Sequence, residues 1–247
     1  VWQLFIQLQK NKMKKLYILL LLLSGLYSHA QFGTNVFGKD PIINLENFDK
    51  QRVHWGYFLG FNSYDFKFDY KNPPAADVEA KTTTGFNVGL VGNLRLFEYL
   101  DLRFEPGLYY TQRNLTFPGL SDPIDRLREV KSTFIHFPLL LKFSALRTGN
   151  VRPYLLGGLS RSLNLSSNEK AKDDNEAGIF RMKRWTNNYE VGFGVDLYFE
   201  YFKFSPSIRG VFGLDDELVR DNDPNSPYTG NIGKMNTRAV FVNFTFH

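Results

Sequence analysis

The sequence predicts an all-β protein, an eight-stranded antiparallel up-and-down transmembrane β-barrel behind a cleaved N-terminal signal peptide. Three observations predict it. Runs of about ten residues carry large apolar side chains in one phase and small or charged ones in the other, which suits tilted strands crossing a bilayer. The connections between runs alternate strictly between short and long. Aromatic residues make up 16% of the 247-residue chain, with 24 Phe and 13 Tyr, and such side chains favour strands.

Composition narrows the field further. A mean hydropathy of −0.29 is too polar for a helical membrane protein, yet a barrel turns only alternate residues to lipid. The chain has no cysteine, which excludes disulfides, thiol nucleophiles, thiolate metal sites and a lipoprotein anchor. The formal charge of +5 owes four charges to Lys10, Lys12, Lys14 and Lys15, and without them it falls to +1. No basic surface for nucleic acid remains after that subtraction.

From the N-terminus, residues 1–12 precede Met13 and read as an over-extended reading frame. Residues 13–30 have a basic start, an apolar run of about a dozen residues, and small residues before Gln31, the anatomy of a signal peptide. The run is too short for a permanent transmembrane helix. Residues 31–53 show no sustained period and are expected to form a periplasmic arm. The barrel is expected over 54–247.

The first run, 54–70, has Trp55, Tyr57, Leu59 and Phe61 in one phase, then Tyr64, Phe66 and Phe68 in the other. That switch predicts a bulge near Asn62 and Ser63. The second, 85–97, turns Phe86, Val88, Leu90, Leu94 and Leu96 outward. In the third, 100–113, Leu102, Phe104 and Leu108 oppose Arg103, Glu105 and Gly107. The fourth, 132–144, aligns Ile135, Phe137, Leu139, Leu141 and Phe143. The fifth, 151–165, has ambiguous faces. The sixth and seventh, within 189–212, form a tight hairpin with aromatics on one side. The eighth, 235–247, aligns Val240, Val242, Phe244 and Phe246, an aromatic ending like that of inserted outer-membrane barrels.

Short turns are expected around Glu98 and Tyr99, Arg147–Asn150, and Glu200 and Tyr201. Long connections are expected over 70–84, 114–131, 166–185 and 215–234. In a meander this puts every long loop at one end, the asymmetry of outer-membrane barrels. A soluble eight-stranded barrel is the competing architecture. Large apolar side chains in the outward phase of nearly every run, with charged residues in the opposite phase, favour the membrane.

Eight strands enclose room for side chains and no pore. Arg103, Glu105, Lys142, Glu190, Asp196 and Arg209 fall in the inward phase and are expected to form a lumen salt-bridge network, because an isolated interior charge is costly. Gly89, Gly107, Gly158, Gly192 and Gly194 share that phase and permit close backbone approach. His136 is the single strand-interior histidine. Its neighbours along the strand, Phe134 and Pro138, offer no nucleophile, while a cross-strand Ser or Glu stays open. No catalytic, metal or cofactor residue is assigned. The acids Asp215, Asp216, Glu217, Asp221 and Asp223 lack the spacing of a calcium cage and are expected to be a solvated loop.

The segments RLREVKSTFIHFPLLLKFSA (126–145) and GNVRPYLLGGLS (149–160) resemble the outer-membrane barrel proteins of Bacteroidota called the PorT family. The arm and first run, NLENFDKQRVHWGYFLGFNSYDFKFDY (44–70), are similar to the PorT/SprT members proper. The resemblance implies a non-enzymatic outer-membrane component of the type IX secretion and gliding machinery, without cofactor or small-molecule substrate. Its partners would be membrane lipid and subunits of that machinery. Asp40, Phe48 and Asp49 in the arm, and Arg126, Arg128 and Glu129 in a long loop, are the expected contact residues. A general structural or adhesion barrel and a barrel lipid hydrolase remain alternatives.

Overall fold

The computed structural model describes residues 42–74, 76–120, 122–171 and 179–247. The expected reading-frame extension and signal peptide, the start of the arm, and Asp40 lie outside them. Strands β1 (Val53–Tyr70), β2 (Glu79–Thr82), β3 (Thr84–Phe97), β4 (Leu100–Phe104) and β5 (Gly107–Thr116) are followed by a one-turn helix, α1 (Pro123–Arg126). Then come β6 (Leu127–Ser144), β7 (Val151–Asn164), β8 (Trp185–Tyr198), β9 (Lys203–Gly213) and β10 (Ile232–Phe246). Each strand from β6 onward pairs antiparallel with the next, and β1 closes the ring by pairing both β10 and β3. No described helix is long and apolar enough to cross a membrane; this barrel crosses with strands.

The ten strands make eight staves. β4 and β5 form one stave interrupted at Glu105 and Pro106, since proline has no N–H for the ladder. Both halves keep the same register against β6, with Phe104 opposite Leu139 and Gly107 opposite His136. The proline still accepts across the gap, from Leu90 N–H to its carbonyl at 3.0 Å. β2 is a short extension paired with the outer end of β5.

The bulge expected at Asn62 and Ser63 is absent. β1 keeps one unbroken register with β10 from Tyr57 opposite Phe246 to Asp69 opposite Lys234, and shifts only between Asp69 and Tyr70. What changes is the medium, not the strand. Below Phe61 the outward residues Trp55, Tyr57, Leu59 and Phe61 are apolar and exposed. Above it the outward residues are Ser63, Asp65, Lys67 and Asp69, while Tyr64 and Phe66 are buried inside. Asp65 pairs with Arg238 of β10 at 2.5 Å on the outer surface. The wall therefore leaves lipid near Phe61 and continues into water, where apolar residues belong inside and charges outside.

β6 shows the same inversion. Ile135, Phe137, Leu139, Leu141 and Phe143 face out below, and Thr133, Lys131 and Glu129 face out above. This band of about nine residues per stave matches a tilted strand's crossing. The inversion also corrects the second long connection, 114–131. Strand pairing runs on from Thr116 opposite Leu127, so Arg128 and Glu129 stand in β6 rather than in a loop, and Arg126 ends α1.

Short turns β3–β4, β6–β7 and β8–β9 sit at one end, with Gly149 supplying the left-handed residue (φ 60°) of the second. At the opposite end the long connections fold over the mouth. Phe117, Phe180, Met182, Leu218 and Tyr228 pack there against Phe66, Leu115, Val130, Ile232 and Met235 as a buried apolar cap.

Candidate functional site

The residues that need explaining lie in the lumen. In the lower, lipid-embedded half of the barrel, the inward phase carries charge because the apolar phase is committed to lipid. Arg103 (β4) contacts Glu105 through its Nε. Glu105 Oε2 meets Arg209 (β9) at 2.8 Å, and Arg209 Nε meets Glu190 (β8) at 3.2 Å. Glu190 Oε1 is 2.7 Å from His136 Nε2 (β6). Charges alternate from Arg103 to Glu190, so each arginine lies between carboxylates or beside one. None of the five side chains is more than 3% exposed.

A second group lies nearer the short-turn end. Lys142 (β6) donates to Asp196 (β8) at 2.6 Å, and Ser205 donates to the other carboxylate oxygen at 2.6 Å. Lys203 and Arg152 add two further cations, and Asp196 together with Asp101, opposite Lys142 on β4, leaves one of the three unmatched. The balancing acid comes from the arm. Asp49 lies 3.8 Å from Lys203 and 3.4 Å from Arg152, and accepts a 2.5 Å hydrogen bond from Tyr198 Oη. Phe48 lies under the Lys203 ammonium at 4.6 Å and edge-on to His54 and His247. A single 3-10 turn, Phe48–Lys50, presents both side chains. The arm is pinned by Asn150, whose amide donates to Ile42 O at 2.8 Å and whose Oδ1 accepts from Asn44 N–H at 2.9 Å. Arg147, stacked 3.6 Å over the Tyr198 ring, also reaches the Asn44 carbonyl.

All six residues expected in the lumen network thus face the lumen, in two groups. Phe48 and Asp49, expected to meet a partner, turn into the barrel's own foot. Arg128, also expected at a surface, is buried with its guanidinium on Tyr228 Oη at 2.6 Å. Arg126 and Glu129 are exposed, Glu129 pairing with Lys131 at 3.2 Å. Sequence reasoning missed Asp49's inward role, Lys203 and Arg152. The available signal was charge: adding those two inward cations to the six residues leaves an excess that calls for another acid.

His136 also has the cross-strand partners that its own strand could not supply. Its Nδ1 is 2.8 Å from Ser162 Oγ on β7, opposite Glu190 on Nε2. Serine, histidine and carboxylate in line have the atoms of a nucleophilic triad. The surroundings differ from an active site. His136 and Glu190 are 1% exposed, Glu190 is shared with Arg209, and Ser162 Oγ takes a further hydrogen bond from Asn188 at 3.1 Å. Ser162 itself is 6% exposed.

At the outer end, the acids expected as a solvated loop are largely committed to the cap. Asp221 accepts from Ser226 at 2.5 Å and Thr229 at 3.1 Å and pairs with Arg181 at 3.1 Å. Asp216 accepts from the Met235 and Leu218 N–H groups and from Arg220. Among the described residues, no group of three or more His, Asp or Glu is placed to hold a metal ion.

The family described as outer membrane protein beta-barrel domain matches residues 30–219. No curated protein matches the chain. Among solved structures, the outer membrane protein OprG from Pseudomonas aeruginosa is 16% identical, with 79% of this chain and 94% of that chain covered and a TM-score of 0.38. AlkL, solved in lipid bilayers, is 13% identical, with 85% and 92% covered and a TM-score of 0.41. The N-terminal barrel of Pseudomonas aeruginosa OprF is 15% identical, with 79% and 98% covered and a TM-score of 0.36.

Proposed function

The chain belongs to the outer membrane protein beta-barrel domain family, and from that premise we propose that it is a non-enzymatic barrel serving the type IX secretion and gliding machinery as an accessory or assembly component. The observation that carries this reading is the filled lumen. Its charged side chains are buried from Lys203 at the foot to Arg113 below the cap. A barrel closed in this way has no conduit for cargo, so it acts through its surfaces. The motif resemblance at 44–70, 126–145 and 149–160 supports a PorT-like role over a generic one. In this orientation the short turns and arm face the periplasm and the capped end faces outward.

Partner contacts then fall on what the arm and rim leave exposed. Because Phe48 and Asp49 are turned inward, the arm offers Ile42 and Ile43, 75% and 55% exposed, as its apolar contact pair. Arg126 and Glu129 remain candidates at the opposite end. Purifying the barrel in detergent and identifying what co-purifies tests the proposal. Secretion-machinery subunits are expected, and their loss is expected with Ile42→Ser plus Ile43→Ser. A clean monomer, with cargo secreted normally by a deletion strain, would turn the assignment to a structural or adhesion barrel. The ordered outer cap favours that second reading.

The Ser162–His136–Glu190 line keeps a hydrolase reading open to direct test. On the proposed reading, purified protein cleaves no acyl ester, and Ser162→Ala or His136→Ala changes nothing in that assay. Deacylation abolished by either substitution would replace the proposal.

A further inference from the structure

The rim of the short-turn end carries a groove that neither the lumen network nor a protein partner accounts for. It is a cavity of about 470 Å³ between the end of the arm and the end of β3, lined by Lys50, Arg52, Arg95, Glu98, Leu96 and Phe97 among others. The arm builds it. Arg95 N–H donates to the Arg52 carbonyl at 2.9 Å, and Val53 pairs with Leu94, so two arginines come side by side as a fixed consequence of strand pairing. Lys50 is steered by its own hydrogen bond to Asn47 Oδ1 at 2.9 Å. In the groove's lining three cations therefore face one acid, Glu98, while Asp101, opposite Arg95 on β4, lies near Lys142, Lys203 and Arg152. Among the described residues, neither Arg52 nor Arg95 has an ion pair.

Such an excess of positive charge attracts an anion, and its surroundings point to which kind. The two arginines stand at the strand ends in the inward phase, and their outward neighbours are apolar and face lipid: Val53, Trp55 and Leu96, with Phe97 70% exposed at the edge. Trp55 and Phe97 stand at the level where aromatic residues girdle a barrel. A ligand held here has a negative group beside the arginines and a hydrocarbon portion against the wall. We propose that this rim groove binds the phosphodiester headgroup of an anionic phospholipid, with its acyl chains lying along the Leu94 and Leu96 face. Because Lys50 and Arg52 belong to the segment that carries Asp49, a bound headgroup also fastens the arm against the foot of the barrel.

The test uses the full chain in neutral detergent, offered phosphatidylglycerol or phosphatidylcholine with matched acyl chains, with retained lipid counted by native mass spectrometry. Phosphatidylglycerol is expected to be retained in preference. Arg52→Gln and Arg95→Gln are each expected to weaken its retention about fivefold, the effect of one basic residue near an anionic lipid surface. Glu98→Gln is expected to strengthen it. Equal retention of the two lipids, or an undiminished preference in the doubly substituted barrel, would overturn the proposal. Salt supplies a check on the unsubstituted protein, where high ionic strength must erase the preference. A preference that persists in high salt counts against the site. Inorganic phosphate lacks the chains and is expected to leave the lipid in place; displacement would overturn the lipid assignment in favour of free phosphate. None of these measurements involves a secretion partner, so failure here leaves the accessory role to its own test.

Discussion

Asp49 is the residue on which the foot of the barrel turns. It is the acid that completes the charge balance of the lower lumen group, where Lys142, Lys203 and Arg152 otherwise face only Asp196 and Asp101. Asp49→Asn keeps the shape and removes the charge, so it strips Lys203 and Arg152 of an anion and weakens the Tyr198 hydrogen bond. A loss of about 2 kcal/mol in denaturant unfolding is expected, the usual worth of a charged hydrogen bond, together with faster proteolysis of residues 42–52. Glu190 is enclosed more completely. Glu190→Gln leaves Arg209 sharing one carboxylate and His136 without its anion, and is expected to cost about 3–5 kcal/mol. Ser162→Ala removes one neutral hydroxyl from the same line and is expected to cost about 1 kcal/mol. The ratio between the two separates an electrostatic scaffold from a hydroxyl kept for chemistry.

At the scale of the strand, a residue's neighbours matter less than the medium its face touches. Leu139 stands outward at the middle of the apolar band of β6, and Lys131 stands outward on the same strand above it. Leu139→Arg is expected to cost about 2–4 kcal/mol in refolding into bilayers, the depth-dependent penalty for charge at the midplane. Lys131→Leu is expected to change stability by less than about 0.5 kcal/mol, as for an ordinary surface site. The same contrast explains what the sequence could and could not tell. Period-2 alternation located every stave of the barrel, and short turns separated from long ones. At Phe61 the alternation continued while its polarity reversed, and reversal of polarity looks identical to a slip of register when only the side chains are seen. The six inward charges were legible because their phase is fixed by the staves around them. Asp49 was not, because it lies on a segment without a period, and only the folded arm brings it under Lys203.

Taken as a whole, the molecule is a cylinder stoppered twice by different means. The foot is closed by a short peptide through charge and one aromatic ring, and the mouth by loops sharing an apolar core. Two neighbouring carboxyls set the cap's response to acid. In the cap, burial works against the Asp216 charge, but the Met235 N–H, Arg220 and the Leu218 N–H outweigh it and hold the carboxyl below its ordinary 3.8. A carboxyl depressed on folding contributes stability above its unfolded value and loses it as pH falls through the folded one. Glu217 next to it has the opposite sign. Burial raises its carboxyl above the ordinary 4.5 despite hydrogen bonds from Thr237, so its contribution is greatest in acid and declines as pH rises through the raised value. The cap is thus held by neighbours of opposite sign, so their joint contribution is greatest between the two windows and falls away on either side. Asp216→Ala removes one side of that balance. It is expected to lower hydrogen-exchange protection of residues 232–237 at pH 7 and to have little effect below the folded value of Asp216, where the native carboxyl is already protonated. Equal loss of protection at both pH values would mean that Asp216 acts through packing rather than charge.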